Sequence, residues 1–327
     1  MTLFTLPIFC AFIFVTNERD GTVTVIRDTD HKVVATVAVG DRPRGIQSSH
    51  DGKHVYVAVS DQLRRKNNDV DRVSVLDAGT FKPVKTYRVG QDPEQIGLHP
   101  AGGWMYVANE ETGLASVIDL KTGKTLAALP VGIEPEGVAI SPNGRWVYIT
   151  AESSSTVSVI DTRTNQVVAN TLVGARPRSA AFTSNGALAY VTSEIGGTVN
   201  ILSTSRHEVV GTIPLKPGSK PVGIVFTPDG AKAYIATGRG DSVAVVDTRS
   251  REVIRYIPVG KRCWGLAMTP GGQLYVANSL SNTVSVIDTR TDKVVATVPT
   301  GAGPWGVAWV AERSHSTLPH NLKVAER

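Results

Sequence analysis

Hydrophobic and polar residues alternate along much of the chain, and whole stretches of this pattern recur. The stretches "TVSVIDTRTNQVVANT" at 156–171 and "TVSVIDTRTDKVVATV" at 283–298 match at 12 of 16 positions. Within the first stretch, Val157 and Val159 alternate with Ser158 as in a strand with one apolar face, and no helical period is present. The pattern therefore predicts a β-hairpin that the chain uses repeatedly.

Seven strands that begin with an aromatic residue set the number of repeats. They are "FVTN" (14–17), "YVAV" (56–59), "YVAN" (106–109), "YITA" (148–151), "YVTS" (190–193), "YIAT" (234–237) and "YVAN" (275–278). Segments such as "PNGR" and "PDGA" precede them. These segments are predicted to be tight hairpin turns, because Asn-Gly and Asp-Gly supply the positive φ that such turns require. An inner strand before each aromatic strand and two strands after it complete the repeat. Four antiparallel strands in about 42 residues are typical of a propeller blade.

The two ends of the chain complete one blade together. Residues 12–40 contain only the last three strands of a repeat, whereas residues 304–310 contain only the first. Sharing a blade in this way removes the free edges of an open stack of sheets. We therefore predict an all-β protein over residues 12–310, a seven-bladed β-propeller of four-stranded antiparallel blades, closed by N- and C-terminal segments that share one blade.

Three segments fall outside the regular repeat. Residues 3–15 are strongly apolar but too short to span a bilayer, and residues 1–11 fit either a signal-peptide remnant or an edge strand. Residues 311–327 are polar and unpatterned, and we expect a disordered tail. An insertion at 60–71 lengthens one repeat, either as a functional rim loop or as a tolerated surface excursion.

Composition argues against several functional classes. The net charge of +5 is scattered without a Lys/Arg cluster, so we expect no nucleic-acid partner. The two cysteines, Cys10 and Cys263, form no CxxC motif, which argues against covalent haem and thiolate zinc sites. No Ser-His-Asp order and no G-x-S-x-G elbow is recognisable, which favours a non-catalytic protein. No transmembrane span is expected.

The start of each inner strand varies most between repeats, and function is best sought there. These start segments read "RPRG" (42–45), "DPEQ" (92–95), "EPEG" (134–137), "RPRS" (176–179), "KPVG" (220–223), "RCWG" (262–265) and "GPWG" (303–306). Strand alternation places them on one face, around the mouth of the central channel, with the loops that follow the aromatic strands. Charges of the same sign are grouped, because two acidic start segments lie between two "RPR" segments. Two tryptophans lie on adjacent blades.

Two interpretations of this mouth are open. It is either a polarised ligand pocket or a network of interblade ion pairs, in which Arg44 pairs with Glu94 and Glu136 pairs with Arg178. In a pocket, guanidiniums would hold carboxylates bidentately and tryptophans would stack on a planar ring. The predicted ligand-binding residues are Arg42, Arg44, Glu94, Glu136, Arg176, Arg178, Trp264 and Trp305. The candidate metal ligands are Glu18, Glu94 and Glu136.

The chain resembles a known group of propellers over roughly residues 12–310. The motifs "YVAN", "YVTS" and "TVSVIDT" resemble the YVTN family of β-propeller repeats. The ordered set "RPRGI", "DPEQIGLHP", "EPEGVAISPNG", "RPRSAAFT", "SEIGGTV", "KPVGI" and "PWGV" is similar to its subgroup of PQQ-dependent catabolism-associated β-propeller proteins. The resemblance implies a periplasmic or secreted protein that accompanies alcohol oxidation by dehydrogenases using pyrroloquinoline quinone (PQQ). A quinoprotein dehydrogenase or another periplasmic protein is the implied partner.

The sequence supports two functional hypotheses. The first is a non-catalytic, monomeric binding or scaffold propeller, which holds an acidic planar ligand or a partner at the channel mouth; PQQ is its candidate cofactor. The second is a metal-assisted, lactonase-like hydrolase or lyase that uses the acidic rim of the channel, with Ca²⁺ as a candidate cofactor. Metal analysis and the response to added Ca²⁺ or Mg²⁺ distinguish the two.

Overall fold

A computed structural model describes residues 11–63 and 70–311, which form 28 β-strands in seven four-stranded antiparallel sheets. The first blade contains both ends of this fold. Blade 1 consists of β1 (Phe12–Asn17), β2 (Thr22–Arg27), β3 (Val33–Ala38) and the last strand, β28 (Pro304–Val310). Blade 2 consists of β4 (Arg42–Ser48), β5 (His54–Ser60), β6 (Arg72–Asp77) and β7 (Pro83–Arg88).

The remaining blades follow the same order, from the channel outwards. Blade 3 consists of β8 (Pro93–Leu98), β9 (Trp104–Asn109), the 3-10 helix Glu110–Thr112, β10 (Leu114–Asp119) and β11 (Thr125–Pro130). Blade 4 consists of β12 (Pro135–Ile140), β13 (Trp146–Ala151), β14 (Thr156–Asp161) and β15 (Gln166–Leu172). Blade 5 consists of β16 (Pro177–Phe182), β17 (Leu188–Ser193), β18 (Thr198–Ser203) and β19 (Glu208–Pro214). Blade 6 consists of β20 (Ile224–Phe226), β21 (Lys232–Ala236), β22 (Ser242–Asp247) and β23 (Glu252–Pro258), and blade 7 of β24 (Cys263–Met268), β25 (Gln273–Asn278), β26 (Thr283–Asp288) and β27 (Lys293–Pro299).

The ring closes through blade 1. Strand β1 pairs with β28, with Phe12 opposite Val310 and Val15 opposite Val307. Inner strands of successive blades contact one another around the whole circle, including β28 with β4 and β24 with β28. The predicted fold class and its closure by both terminal segments are therefore confirmed.

Several predictions concern residues that the structure does not describe. Residues 1–10 and 312–327, which contain most of the predicted signal-peptide remnant and tail, lie outside the described ranges. The predicted insertion joins β5 to β6, and its residues 64–69 also lie outside them. No helix within the described ranges is long and apolar enough to cross a membrane.

The core lies between neighbouring blades, because each sheet buries both of its faces. The tyrosines that lead the second strands are its largest side chains, and five of them are almost fully buried: Tyr106, Tyr148, Tyr190, Tyr234 and Tyr275. Valine, isoleucine and alanine of the second and third strands belong to the same buried clusters as these rings. Burial of apolar area on both faces is the main contribution that holds such a ring together.

Hydroxyl groups of the buried tyrosines bind the outer turn of the next blade. Tyr106 donates a hydrogen bond to Asn165 Oδ1 at 2.6 Å, and the Tyr148 hydroxyl lies 2.9 Å from Nδ1 of His207. Asn165 and His207 occupy equivalent turn positions with φ of 50° and 57°. A left-handed turn residue on one blade thus satisfies a buried hydroxyl on its neighbour.

We expect the His207 contact to make stability depend on pH. Burial lowers the pKa of His207 below its ordinary value of 6.5, so the unfolded chain binds the proton more readily than the folded chain. This contribution to stability is complete above about pH 6.5 and is lost as the pH falls through the folded pKa. In urea unfolding, the free energy of unfolding should decrease less between pH 7.5 and pH 5 for His207→Asn than for the wild type. An equal loss in both proteins would contradict this assignment.

The inner strands approach one another closely at the glycine that ends five of the seven start segments. These glycines are Gly45, Gly137, Gly223, Gly265 and Gly306. A Cβ atom at any of them would collide with a main-chain carbonyl oxygen of the following blade; at Gly306 it would lie 2.5 Å from the Arg44 oxygen. Glycine at this position therefore allows the start segments to converge on the channel axis.

Candidate functional site

The seven start segments converge at one end of the channel. Thr16 connects two of them, because its hydroxyl donates to the Arg44 carbonyl at 2.7 Å and accepts from the Gly306 amide at 2.8 Å. Arg44 and Trp305 therefore lie on adjacent blades at the same end of the ring. The third residues of the start segments form what we call the mouth ring: in order from blade 1, Trp305, Arg44, Glu94, Glu136, Arg178, Val222 and Trp264.

An ion cluster on blades 1 to 3 surrounds Arg44. Its Nε donates to Glu18 Oε1 at 2.9 Å, and its Nη1 contacts Glu94 and lies 3.7 Å from Glu110 Oε2. Arg42 Nη1 lies 3.2 Å from Asp92 Oδ1. All of these side chains are at least four-fifths buried. The predicted pair of Arg44 with Glu94 is therefore present, within a larger network than the sequence indicated.

A second ion cluster on blades 4 and 5 surrounds Arg178. Its Nη1 donates to Glu136 at 2.6 Å and contacts Glu152, and its Nε donates to Glu194 at 2.6 Å. Burial disfavours the charged guanidinium, but Glu136 and Glu194 outweigh that effect and raise the pKa of Arg178. Arg176 Nε donates to Glu152 at 2.5 Å. The predicted pair of Glu136 with Arg178 is also present.

In both clusters, the arginines that were predicted to bind a ligand contact carboxylates of the protein instead. Arg42, Arg44, Arg176 and Arg178 each make an ion pair within the ring. Their donors are largely used by these contacts, which favours the ion-pair interpretation for this part of the mouth. Whether any of the four also holds a ligand stays a prediction.

Blades 6 and 7 lack the acidic residue that follows the second strand in the other five blades. That position holds Glu18, Asp61, Glu110, Glu152 and Glu194 on blades 1 to 5, but Gly238 on blade 6 and Ser279 on blade 7. The cations of the start segments on these two blades, Lys220 and Arg262, make no ion pair with any carboxylate in the part of the chain that the structure describes. Both cations are partly buried.

Arg262 lies against the indole ring of Trp264. Its guanidinium carbon is 4.8 Å from the ring centroid, and that of Arg178 is 5.3 Å from the same centroid. Burial, reinforced by the charges of Arg239 and Arg178 and opposed by those of Glu18 and Glu194, lowers the pKa of Arg262. An anion beside this guanidinium would therefore meet a desolvated positive charge held in a fixed position.

The two tryptophans of the mouth ring pack together. Their ring centroids lie 6.0 Å apart at an interplanar angle of 42°. Both indoles are buried, so they form part of the floor of the mouth and expose little surface on which a planar ring could stack. The structure thus brings the predicted tryptophans together, but as a packed pair beside Arg178 and Arg262.

The acidic residues at blade 3 form a compact group. Asp92, Glu94 and Glu110 each place one carboxylate oxygen within 4.8 Å of the others. Of the predicted metal ligands, only Glu94 belongs to such a group among residues 11–63 and 70–311; Glu18 and Glu136 do not. Asp92 and Glu110 were not among the metal ligands predicted from the sequence.

A cavity of about 410 Å³ occupies the channel beneath the mouth ring. Polar side chains line it at Gln47, Gln95 and Ser179, and apolar ones at Leu266 and Met268. These residues were not among the predicted site residues. Their side chains vary between repeats, but nothing in the strand pattern distinguishes the side of an inner strand that faces the channel.

Comparison with known proteins agrees with this architecture. The family profile described as "Lactonase, 7-bladed beta-propeller" matches residues 11–129 and 163–297, and the chain belongs to that family. A comparison with curated proteins found no match. The family assignment covers the predicted propeller, but the profile does not separate the YVTN or PQQ-associated subgroup from the rest.

Solved structures share the fold at low sequence identity. Hydrazine synthase of Kuenenia stuttgartiensis is 23% identical with a TM-score of 0.72, over 81% of this chain and 89% of that chain. A putative 6-phosphogluconolactonase from Bacteroides uniformis is 21% identical with a TM-score of 0.78, over 92% of this chain and 99% of that chain. The dihydro-haem d1 dehydrogenase NirN, solved in complex with DHE, is 15% identical with a TM-score of 0.66, over 90% of this chain and 74% of that chain.

Proposed function

We propose that this protein is a non-catalytic binding propeller of the periplasm, or a secreted one, which holds an anionic planar ligand at Arg262 and Lys220. The proposal rests on one observation: the residue after the second strand is acidic on blades 1 to 5 but not on blades 6 and 7. Everywhere else at the mouth, arginines meet carboxylates of the protein. At blades 6 and 7, in contrast, Arg262 and Lys220 are partly buried and make no ion pair with a described carboxylate, so an external anion could neutralise them.

The chemistry of the site favours a ligand that carries a carboxylate. A guanidinium binds a carboxylate through two parallel hydrogen bonds, and a desolvated site strengthens both of them. The indole of Trp264 keeps water from one side of Arg262. PQQ combines a planar ring system with carboxylate groups, and the sequence resembles propellers associated with PQQ-dependent catabolism. We therefore propose PQQ, or a quinoprotein partner that presents such a group, as the ligand.

Calorimetric titration of the full chain with PQQ tests this proposal. We expect saturable binding to the wild type, and affinity lower by about ten- to a hundredfold in Arg262→Ala, which is the usual cost of losing hydrogen bonds to a charged group. Arg249→Ala is a matched control, because Arg249 lies in an exposed turn between β22 and β23. Equal heats from all three proteins, or no heat from the wild type, would refute PQQ binding at this site.

A lactonase-like hydrolase or lyase is the second candidate. It is favoured by membership of the lactonase propeller family together with the acidic group at Asp92, Glu94 and Glu110, which could assist hydrolysis through a bound metal. Lactone hydrolysis followed in a pH-stat, with and without Ca²⁺ or Mg²⁺, tests it directly. Turnover that requires the cation would support this function over the first, and no turnover with any lactone tested would argue against it.

A further inference from the structure

We propose that Asp92, Glu94 and Glu110 bind one hard divalent cation, of the class of Ca²⁺, Mg²⁺ or Mn²⁺, on blade 3. This site is separate from the anion site at Arg262. It would also supply the cation that the second candidate function requires, but cation binding itself does not depend on that function.

The main chain brings the three carboxylates together from two neighbouring segments. Asp92, with φ of 51°, and Glu94 belong to the start segment of β8, whereas Glu110 begins the 3-10 helix that follows β9. The Glu110 amide donates to the Asp92 carbonyl at 2.9 Å, which fixes one segment against the other. The spacing of at most 4.8 Å between the carboxylate oxygens suits ligands that share one ion.

One oxygen of Glu94 gives an independent indication of a ligand. The Glu94 residue is 0% exposed, and its Oε1 contacts the Arg44 guanidinium. Its Oε2 is buried and accepts no hydrogen bond from any described group. A buried carboxylate oxygen without a partner is unfavourable, and a directly bound cation would satisfy it.

The carboxylates of the second ion cluster have no buried oxygen that lacks a hydrogen-bond partner. Glu136 occupies the equivalent position on blade 4 and is similarly buried, at 4% exposure. It accepts a hydrogen bond from Arg178, and Glu152 and Glu194 also have guanidinium partners. Among the described side chains, Glu94 is the one carboxylate that has a buried oxygen without a hydrogen-bond partner.

The donor set determines the class of cation. Three carboxylates and no histidine or thiolate favour hard cations, with water completing the coordination shell. Arg42 and Arg44 share these carboxylates, so the cation must bind beside two fixed positive charges. Three carboxylates attract a divalent cation more strongly than a monovalent one, so we expect divalent cations to bind in spite of these charges and monovalent cations at the same concentration to fail.

Calorimetry and thermal unfolding of the EDTA-treated full chain, titrated with CaCl₂, MgCl₂ or MnCl₂ in excess NaCl, test this site. At least one cation should give saturable heat and raise the melting temperature. Glu94→Gln and the more exposed Glu110→Gln should each weaken binding tenfold or more, whereas Glu136→Gln, the matched control, should retain it. Circular dichroism checks that each variant is folded.

Two outcomes would overturn the assignment. One is the absence of saturable binding of all three cations to the wild type. The other is unchanged affinity in folded Glu110→Gln, which keeps the test valid if Glu94→Gln does not fold. Since no organic ligand is present in this titration, its failure would leave the PQQ proposal untouched.

Discussion

Replacement of Arg178 by alanine is expected to lower the free energy of unfolding by about 3–5 kcal/mol, as found when one partner of a buried ion pair is removed. The Arg178 side chain is only 11% exposed and is the shared partner of Glu136, Glu152 and Glu194. Without it, these carboxylates would face one another in a desolvated site. Urea unfolding at pH 7, followed by circular dichroism, measures the loss.

Arg176→Ala provides the matched control. Arg176 also pairs with Glu152, but its side chain is 43% exposed, so water screens the interaction. We expect Arg176→Ala to lower the free energy of unfolding by about 1 kcal/mol or less. Equal destabilisation by the two substitutions would show that the buried cluster does not depend on Arg178 as its central charge.

Gly265→Ala is expected to destabilise the propeller by about 3 kcal/mol or more, at or above the upper end of the usual cost of overpacking. A Cβ atom at Gly265 would overlap the Trp305 carbonyl oxygen and would lie 3.0 Å from the Gly306 Cα. These are main-chain atoms of the next blade, and they can move only if the two inner strands separate. Thermal and urea unfolding of the variant measure the effect.

Gly271→Ala is the control for the glycine prediction. Gly271 lies in the turn between β24 and β25, and a Cβ there would meet nothing nearer than Thr269 Oγ1 at 3.8 Å. We expect a change within about 0.5 kcal/mol. A tolerated Gly265→Ala would mean that the inner strands are not held at the close approach described above.

The sequence was sufficient to predict the blade count and the closure of the ring, because both follow from local signals. Strand alternation, Asn-Gly and Asp-Gly turns, and a repeat of about 42 residues do not depend on tertiary detail. The pairs of Arg44 with Glu94 and of Glu136 with Arg178 were predictable for a related reason. Once a ring is assumed, equivalent positions on neighbouring blades must lie side by side.

The ion-pair partners and the burial of individual side chains could not be predicted in this way. Charge sorting indicated a polarised mouth, but not that Arg44 and Arg178 each serve three carboxylates. The burial of Trp264 and Trp305 depends on how far the inner strands converge, which no local pattern specifies. That Arg262 makes no ion pair with a described carboxylate did have a sequence signal, since the acidic position of the other blades is Gly238 on blade 6 and Ser279 on blade 7.

Interblade contacts of the tyrosine hydroxyls were also beyond the sequence argument. Asn165 and His207 occupy turns that any hairpin would accept, and their φ values suit asparagine and histidine without a tertiary reason. Only the packed ring shows that each meets a hydroxyl from the preceding blade. Long-range polar contacts of this kind are set by blade orientation and not by residue spacing.

The position of a bound ligand tests the proposed function most directly. In a crystal structure of the protein soaked or co-crystallised with PQQ, we predict a ligand carboxylate within hydrogen-bonding distance of the Arg262 guanidinium, on the side of the mouth formed by blades 6 and 7. Density for PQQ against the acidic blades 3 and 4, or no density at the mouth at a saturating concentration, would contradict the account.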